Sequence, residues 1–534
     1  MAASTSYFDF TKWRAERNPC LQPFVEFLKN GIQDPTRDPT IYSIDYAQSP
    51  STQVEIRRTS LDEVLQHVKP SLLGTTAQRL ASASTLRRMV LVEDIDVSTI
   101  QILGSRLDID PLFFAHYIFT ELQDITSSPP PPALVSLPST FMDKSSIHLH
   151  YQQILDLGQA DPEAVGTYKF QAQGNVKRSV RCTPSISRTQ PAILRGCCSA
   201  FLKHLDNGWI CLLLVDPSTD LIPKNDSRSS NSSQKNIWQH IPFQGGFEDI
   251  VDPIPFSTFT TSSRGLNPIK NSILLNFLRY YEQRPPGLDI DNPNLLSLLY
   301  YPIRWVSSNW MLYVMLVNRY CKLYEYSINQ SSVESRLETS LIDLQRWRRR
   351  TKQSISKLIL ITAFIRLHLP SPEEDARTIF HSHPTTSDLS NLCTILLSDY
   401  DHIIYEIKDY RNGIDFLISI STTMFQLRKA QQTVREAINI RRLTYVALFS
   451  APFGLVAAVF SMSANFLPGQ PDFWVFMITA VMATSVVAVV ALMPGSLVRR
   501  ACWSWATMMS ARRQVLRAAP SCQGAGASGP AEAC

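Results

Sequence analysis

Along the first half of the chain, apolar residues come in short runs bounded by turn residues. Residues 88–92 form a short β-like run ahead of Glu93 and Asp94. Gly208–Val215 (GWICLLLV) is continuously apolar between Asp206–Asn207 and Asp216–Pro217. Turn residues on both sides and a length of about eight predict a buried strand. Residues 98–107 and 111–122 carry helical spacing, with Asp108 or Asp110 as a cap and Pro111 at the first helical position. Residues 126–132, with four consecutive prolines, and 220–236, rich in Ser, Asn and Lys, read as loops. Residues 1–290 therefore predict an α/β domain with loop insertions.

From about Asn292 the period becomes helical. Residues 295–326 are aromatic and aliphatic, and their uninterrupted apolar stretch 310–317 is too short to cross a bilayer. Residues 333–369 predict a second long helix, with Leu337, Leu341, Leu344, Ile355 and Leu358 on one face, ended by Pro370 and Pro372. Residues 387–442 predict a third, with Ile403, Ile407, Tyr410, Ile414 and Leu417 at spacings of four and three. The phase then shifts to Leu427, Val434 and Ile438, a coiled-coil-like seam with a discontinuity and a weak point at Gly413. Residues 291–442 thus read as a helical bundle and stalk. The stalk runs directly into an apolar segment, so it either transmits movement to a membrane or only holds the body near one.

Two segments, 444–460 and 473–492, carry no formal charge. About 20 helical residues at roughly 1.5 Å each cover the hydrocarbon layer. Arg428, Lys429, Arg435, Arg441 and Arg442 precede the first segment, and Arg499, Arg500, Arg512 and Arg513 follow the second. The connecting residues 461–472 hold no Lys or Arg and one acid, Asp472. Cations stay on the cytoplasmic side, so residues 443–492 predict a two-helix, multi-pass membrane region with both termini cytosolic. The competing reading is a helical hairpin buried in a soluble domain. Residues 493–534 read as a basic cytosolic tail, and the composition after about Pro520, rich in Gly, Ala and Ser, predicts disorder.

Composition narrows the classes. The 534 residues suffice for two to four domains, and 44% hydrophobic content is that of a largely globular chain. A net charge of +5, much of it beside the apolar segments, points to anionic lipid rather than nucleic acid. Ten scattered cysteines without a CxxC pair predict a reduced, cytosolic body. The first twelve residues lack the apolar core of a secretory signal.

Residues 441–463, RRLTYVALFSAPFGLVAAVFSMS, resemble the pore helix of CorA-like magnesium transporters, including the mid-span Pro452 and an aromatic before a small-Met-small tripeptide. Residues 102–116 (ILGSRLDIDPLFFAH) are similar to a Leu-Gly, Ile-Asp-Pro, Phe-Phe stretch of that family. The resemblance covers about 428–498 well, is patchy over 89–122 and 208–217, and does not extend to the long loops. It implies an α+β cytosolic domain, a long helical stalk and two C-terminal transmembrane helices. It also implies a homopentamer whose first span lines a pore for Mg2+ or a related divalent cation.

Ser461, Met462 and Ser463 stand where the family has Gly-Met-Asn. A Ser ring offers lone pairs to a hydrated cation from a shorter side chain than Asn, and Ser disfavours a bend that Gly permits. Ala447, Ala451, Gly454 and Ala458 recur at four, three and four. They either face the conduit or form a small-residue packing surface. The expected partners are therefore the lipid bilayer, divalent metal ions and further copies of the chain, with no nucleic acid and no cofactor beyond the ion. The plasma membrane is the default location.

Other signals are weaker. His148-x-His150 and His381-x-His383 have metal-compatible spacing but no third ligand nearby, and read as ordinary surface histidines. Asp108/Asp110 and Asp289/Asp291 read as caps and turns before cation sites. Residues 346–352 (RWRRRTK) read as a solvated face with Trp347 turned inward. No phosphate loop or catalytic motif supports an enzyme. The alternative to transport is a non-conducting, membrane-anchored regulatory or interaction protein on the same scaffold. A soluble helical protein with an aggregation-prone tail is a third reading.

Overall fold

The apolar run Gly208–Val215 is a strand whose side chains enter two different cores. Ile210, Leu212 and Leu214 join one buried cluster, and Cys211, Leu213 and Val215 join the other. Burial on both faces is what removes the polar alternation from its sequence. The computed structural model describes residues 6–33, 37–47, 54–65, 86–119, 145–159, 169–171, 174–218, 221–223, 237–239, 241–251, 256–258, 272–330, 334–369, 384–461 and 472–492. The chain divides into two compact units, Met1–Ser421 and Thr422–Cys534.

In the first unit the strands are β1 (Thr40–Asp45), β2 (Glu55–Arg58), β3 (Leu86–Glu93), β4 (Ser146–Gln159), β5 (Lys169–Gln171), β6 (Ser179–Cys182), β7 (Thr189–Leu205), β8 (Gly208–Val215), β9 (Leu221–Pro223), β10 (Ile237–Gln239) and β11 (Ile241–Pro242). Among the described residues nine of them form one mixed sheet with the path β11-β4-β7-β8-β3-β1-β2, β6 pairing with β7 and β5 with β6. β3 and β8 are parallel, from Leu86 opposite Gly208 to Glu93 opposite Val215, and their neighbours are antiparallel. Asp206 and Asn207 make the turn between β7 and β8. Gly208, at φ 131°, is required there because a Cβ would collide with the Leu86 carbonyl oxygen.

One face of the sheet is covered by α1 (Tyr7–Arg17), α2 (Gln22–Gln33), α3 (Leu61–Leu65), α4 (Val97–Leu107) and α5 (Pro111–Ile118), through Phe24, Leu28, Leu103 and Phe114 against Val90, Val92 and Leu212. Asp96 caps α4 by accepting from the Thr99 amide at 3.0 Å, and Asp108 ends it in the left-handed conformation. Asp110 caps α5 by accepting from the Leu112 amide at 2.9 Å, ahead of Pro111. Asp289 accepts from the Asp291 amide at 3.0 Å, and Asp291 pairs with Arg87. These acids therefore hold caps and a turn.

The other face meets α6 (Ile273–Tyr281), α7 (Leu295–Leu298), α8 (Tyr300–Gln330), α9 (Glu334–Leu367) and the first part of α10 (Pro384–Phe460) in a core containing Phe277, Trp305, Trp310, Leu358 and Ile407. Trp310 donates its indole N–H to the His150 carbonyl at 3.0 Å, which covers an edge carbonyl of β4. Trp347 is buried against Tyr320, while Arg346 and Arg348 reach Asp343 and Asp415 at the surface.

A buried ion pair fastens the end of β8. Arg178 and Asp216 meet at 2.6 Å with both side chains about 1% exposed. The Tyr151 hydroxyl and the Cys197 amide each donate to the same carboxylate at 2.8 Å. Such hydrogen bonding is what makes a buried carboxylate tolerable.

The reading of His148 and His150 as surface residues is corrected. His148 is half-buried, its Nδ1 lies 2.7 Å from the Ser199 hydroxyl, and its ring packs against Phe113 and His116. Burial, with a smaller contribution from His116, pushes its pKa down to about 3. No cluster of three or more His, Cys, Asp or Glu side chains able to hold a metal occurs among the described residues. His381 and His383 lie outside them.

Candidate functional site

The second unit contains the rest of α10, from Thr422, and α11 (Phe473–Leu492). α10 is unbroken from Pro384 to Phe460, with Pro452 inside it. Proline has no amide hydrogen, so the ladder lacks one bond there. Among the described helices, Leu389–Phe460 includes a stretch long and apolar enough to cross a membrane, and Phe473–Val489 is apolar but shorter. At the polar end of the first apolar segment, the Arg441 Nε donates to the Tyr445 hydroxyl at 2.8 Å and the guanidinium lies over its ring. An aromatic ring with a cation beside it suits a membrane–water interface.

The two helices meet through one face each. The rings of Phe460 and Phe476 pack edge-to-face with centroids 5.8 Å apart. Val456 is 8% exposed and Ala480 0%. Leu448 and Pro452, two turns and one turn before Val456, are half-buried. Ala447, Ala451, Gly454 and Ala458 are all exposed, and a Cβ added at Gly454 would meet nothing within 4 Å. At about 100° per residue, these four lie roughly 150° around the helix from the line through Leu448, Pro452, Val456 and Phe460. The small-residue stripe thus points away from α11.

Ser461 falls on the same side as the stripe, three residues beyond Ala458. Its amide continues the helix by donating to the Ala457 carbonyl at 2.9 Å, and its hydroxyl donates to the Ala458 carbonyl at 2.9 Å. With its hydrogen engaged, that oxygen has only lone pairs to offer, which suits it to accept from the water shell of a cation. Met462 and Ser463 lie outside the described residues, as do residues 466–470. Asp472 is described, and its carbonyl accepts from the Val475 amide at 3.0 Å at the start of α11. Sequence spacing places the stripe on one face. The contact that turns this face away from α11 comes from Phe460 and Phe476, whose pairing no local pattern announces.

No family model matches the sequence, and no curated protein matches it. Among solved structures, the chain is similar to the CorA magnesium transporter from Methanocaldococcus jannaschii at 11% identity and a TM-score of 0.35, over 85% of this chain and 97% of that one. It is also similar to the full-length CmaX protein at 10% identity and a TM-score of 0.34, over 86% of this chain and 98% of that one.

Proposed function

We propose that the chain is a divergent CorA-like channel or transporter for Mg2+ or a related divalent cation, assembled as a homopentamer and spanning the membrane twice. In this reading Ser461, Met462 and Ser463 form the entrance ring, and Ala447, Ala451, Gly454 and Ala458 face the conduit. The observation that carries it is the exposed small-residue stripe opposite the α11-facing side, with Ser461 at its end. A face free of contacts with the other described residues is available either to a water-filled path or to neighbouring copies around one. The sequence resemblance over 428–498 supports the same reading. Both termini are cytosolic by the charge asymmetry, and the protein is no enzyme.

The test is metal-ion flux through the purified chain in sealed vesicles. Mg2+, Co2+, Ni2+ or Zn2+ entry above empty vesicles is expected, and its absence for all four removes the transport claim.

A second reading is favoured by a specific feature, the charge-poor mouth in which Ser replaces Gly and Asn and Asp472 is the one acid between the segments. Cation attraction there is weak, as a non-conducting membrane-anchored scaffold would allow. Restoring the motif with Ser461→Gly and Ser463→Asn separates the two. Flux that appears only after restoration supports the scaffold, and flux before it excludes the scaffold.

A further inference from the structure

Three arginines from three elements of the first unit converge between the sheet and α9. Arg181 on β6 lies opposite Ile193 of β7, and Arg195 is two residues further along β7, so both side chains leave the same face of the sheet. β4 continues that face, with Gln152 opposite Arg195. Gln152 donates to the Ser354 hydroxyl at 2.9 Å, and Arg195 reaches the Gln353 side-chain oxygen at 3.3 Å, which puts α9 over these strands. One turn earlier on α9, Arg350 is 7% exposed. Its guanidinium lies over the Trp347 ring at 5.0 Å, and no carboxylate lies within ion-pair distance of it among the described residues.

Burial pushes Arg350 down to about 10, and its largest electrostatic neighbours are Tyr313, Arg181, Arg195 and Tyr320. It remains charged at neutral pH, among like charges and tyrosines. The Nε of Arg181 is buried without a hydrogen-bond partner among the described residues, and the buried Tyr313 hydroxyl lies beside the Ser354 hydroxyl. A desolvated cation is stabilised by an opposite charge or by hydrogen bonds. A cation–π contact supplies part of this to Arg350, and among the described residues the Arg181 Nε has no such partner.

We propose that Arg181, Arg195, Arg350 and the Tyr313 hydroxyl form a binding site for a phosphate-class oxyanion, either inorganic phosphate or the phosphate end of a nucleotide. The guanidinium fork matches tetrahedral oxyanions in two-point hydrogen bonds, and a neutral tyrosine hydroxyl adds a donor. Gln353 and Gln152 hold the strand-side and helix-side groups in place. Occupancy would fasten α9 to the sheet, independently of whether the second unit passes ions.

The experiment uses the full chain in detergent. Thermal unfolding and calorimetric titration are run with inorganic phosphate, with ATP and with chloride at matched ionic strength. A saturable rise in melting temperature with phosphate, ATP or both, absent with chloride, is expected. Response to both assigns a simple oxyanion site, and response to ATP alone assigns a nucleotide site. Arg350→Met and Arg181→Gln should each weaken the affinity about tenfold or more, the loss for one charge-assisted contact. Arg181 is only half-buried, so its variant tests the site even if Arg350→Met fails to fold. No saturable response to either anion overturns the proposal, and so does an undiminished response in Arg181→Gln.

Discussion

The helix Pro384–Phe460 carries apolar residues at three and four spacing both before and after Ser421, and their fates differ. Before it, Ile403, Ile407, Ile414 and Leu417 are 3, 0, 1 and 8% exposed, covered by α8 and α9 of the same chain in one core. After it, Leu427, Val434 and Ile438 are 54, 59 and 46% exposed, and Leu443, Leu455 and Val459 are more than half exposed. The same spacing in the same helix is satisfied within the chain in one region and left bare in the other. Contiguous bare apolar surface on this scale is not stable in water. The helix therefore needs a cover that the described residues do not supply, and lipid or further copies would supply it. Periodicity identifies an apolar face, and only packing identifies what covers it.

The largest effects should fall where the chain covers itself. Asp216→Ala leaves Arg178 charged and unpaired at about 1% exposure, and breaking such a buried pair costs about 3–5 kcal/mol. Chemical denaturation of the first unit should show that loss. Ile407→Ala opens a cavity in the bundle and should cost about 2–5 kcal/mol. Ile438→Ala should change the same measurement by less than about 0.5 kcal/mol. If both isoleucines destabilise the folded monomer equally, the contrast between the two regions is broken. If Ile438→Ala instead alters only the oligomeric state, the contrast is sharpened and the cover is another copy.

Much of the first unit was legible because local chemistry is decisive there. Turn residues framed β8, and Asp110 with Pro111 announced α5. Both ends of α9 lie within two residues of the expected helix, whose end was marked by Pro370. β4 and β7 were missed for different reasons. In β4 Ile147, Leu149 and Tyr151 alternate with His148, His150 and Gln152, a period-two signal obscured by reading the histidines as surface groups. β7 runs seventeen residues without alternation, since helices cover both faces. The N-terminal helices were missed because α1 is largely polar. At the candidate pore, the spacing of Ala447, Ala451, Gly454 and Ala458 was visible but its direction was not. The arginine cluster draws on positions 181, 195 and 350, which only the fold brings together.

A smaller effect concerns acid. His148 has its folded pKa pushed down to about 3 from 6.5, and burial also holds His150 and His116 below their ordinary value. The unfolded chain therefore binds more protons below about pH 6.5, so this stability is complete above that pH and declines as pH falls toward the folded values. Each such histidine contributes up to about 1.4 kcal/mol per pH unit. His148→Asn should flatten the fall between about pH 6.5 and 4.5, a window above most carboxylate titration. An unchanged slope would mean that the ring is solvated in the folded protein.

The smallest effect separates the two regions most cleanly, because it makes one change in each. Gly413 and Gly454 both sit on α10 with nothing within 4 Å of an added Cβ. Within one chain, Ala at either position should raise helix stability by about 0.5–1 kcal/mol, since glycine loses more backbone freedom on folding. Gly413→Ala should do only that, as a small rise in the melting temperature of the first unit. At Gly454 the methyl projects from the small-residue stripe, where the described residues offer no obstacle. Any weakening of the oligomer or reduction of ion flux by Gly454→Ala therefore points to contact with something beyond the described residues. The expected result is a smaller assembly in mass photometry or reduced Mg2+ entry for Gly454→Ala, with neither change for Gly413→Ala. Unaltered assembly and flux in both variants would show that the stripe faces lipid, and the conduit assignment of Ala447, Ala451, Gly454 and Ala458 would fall.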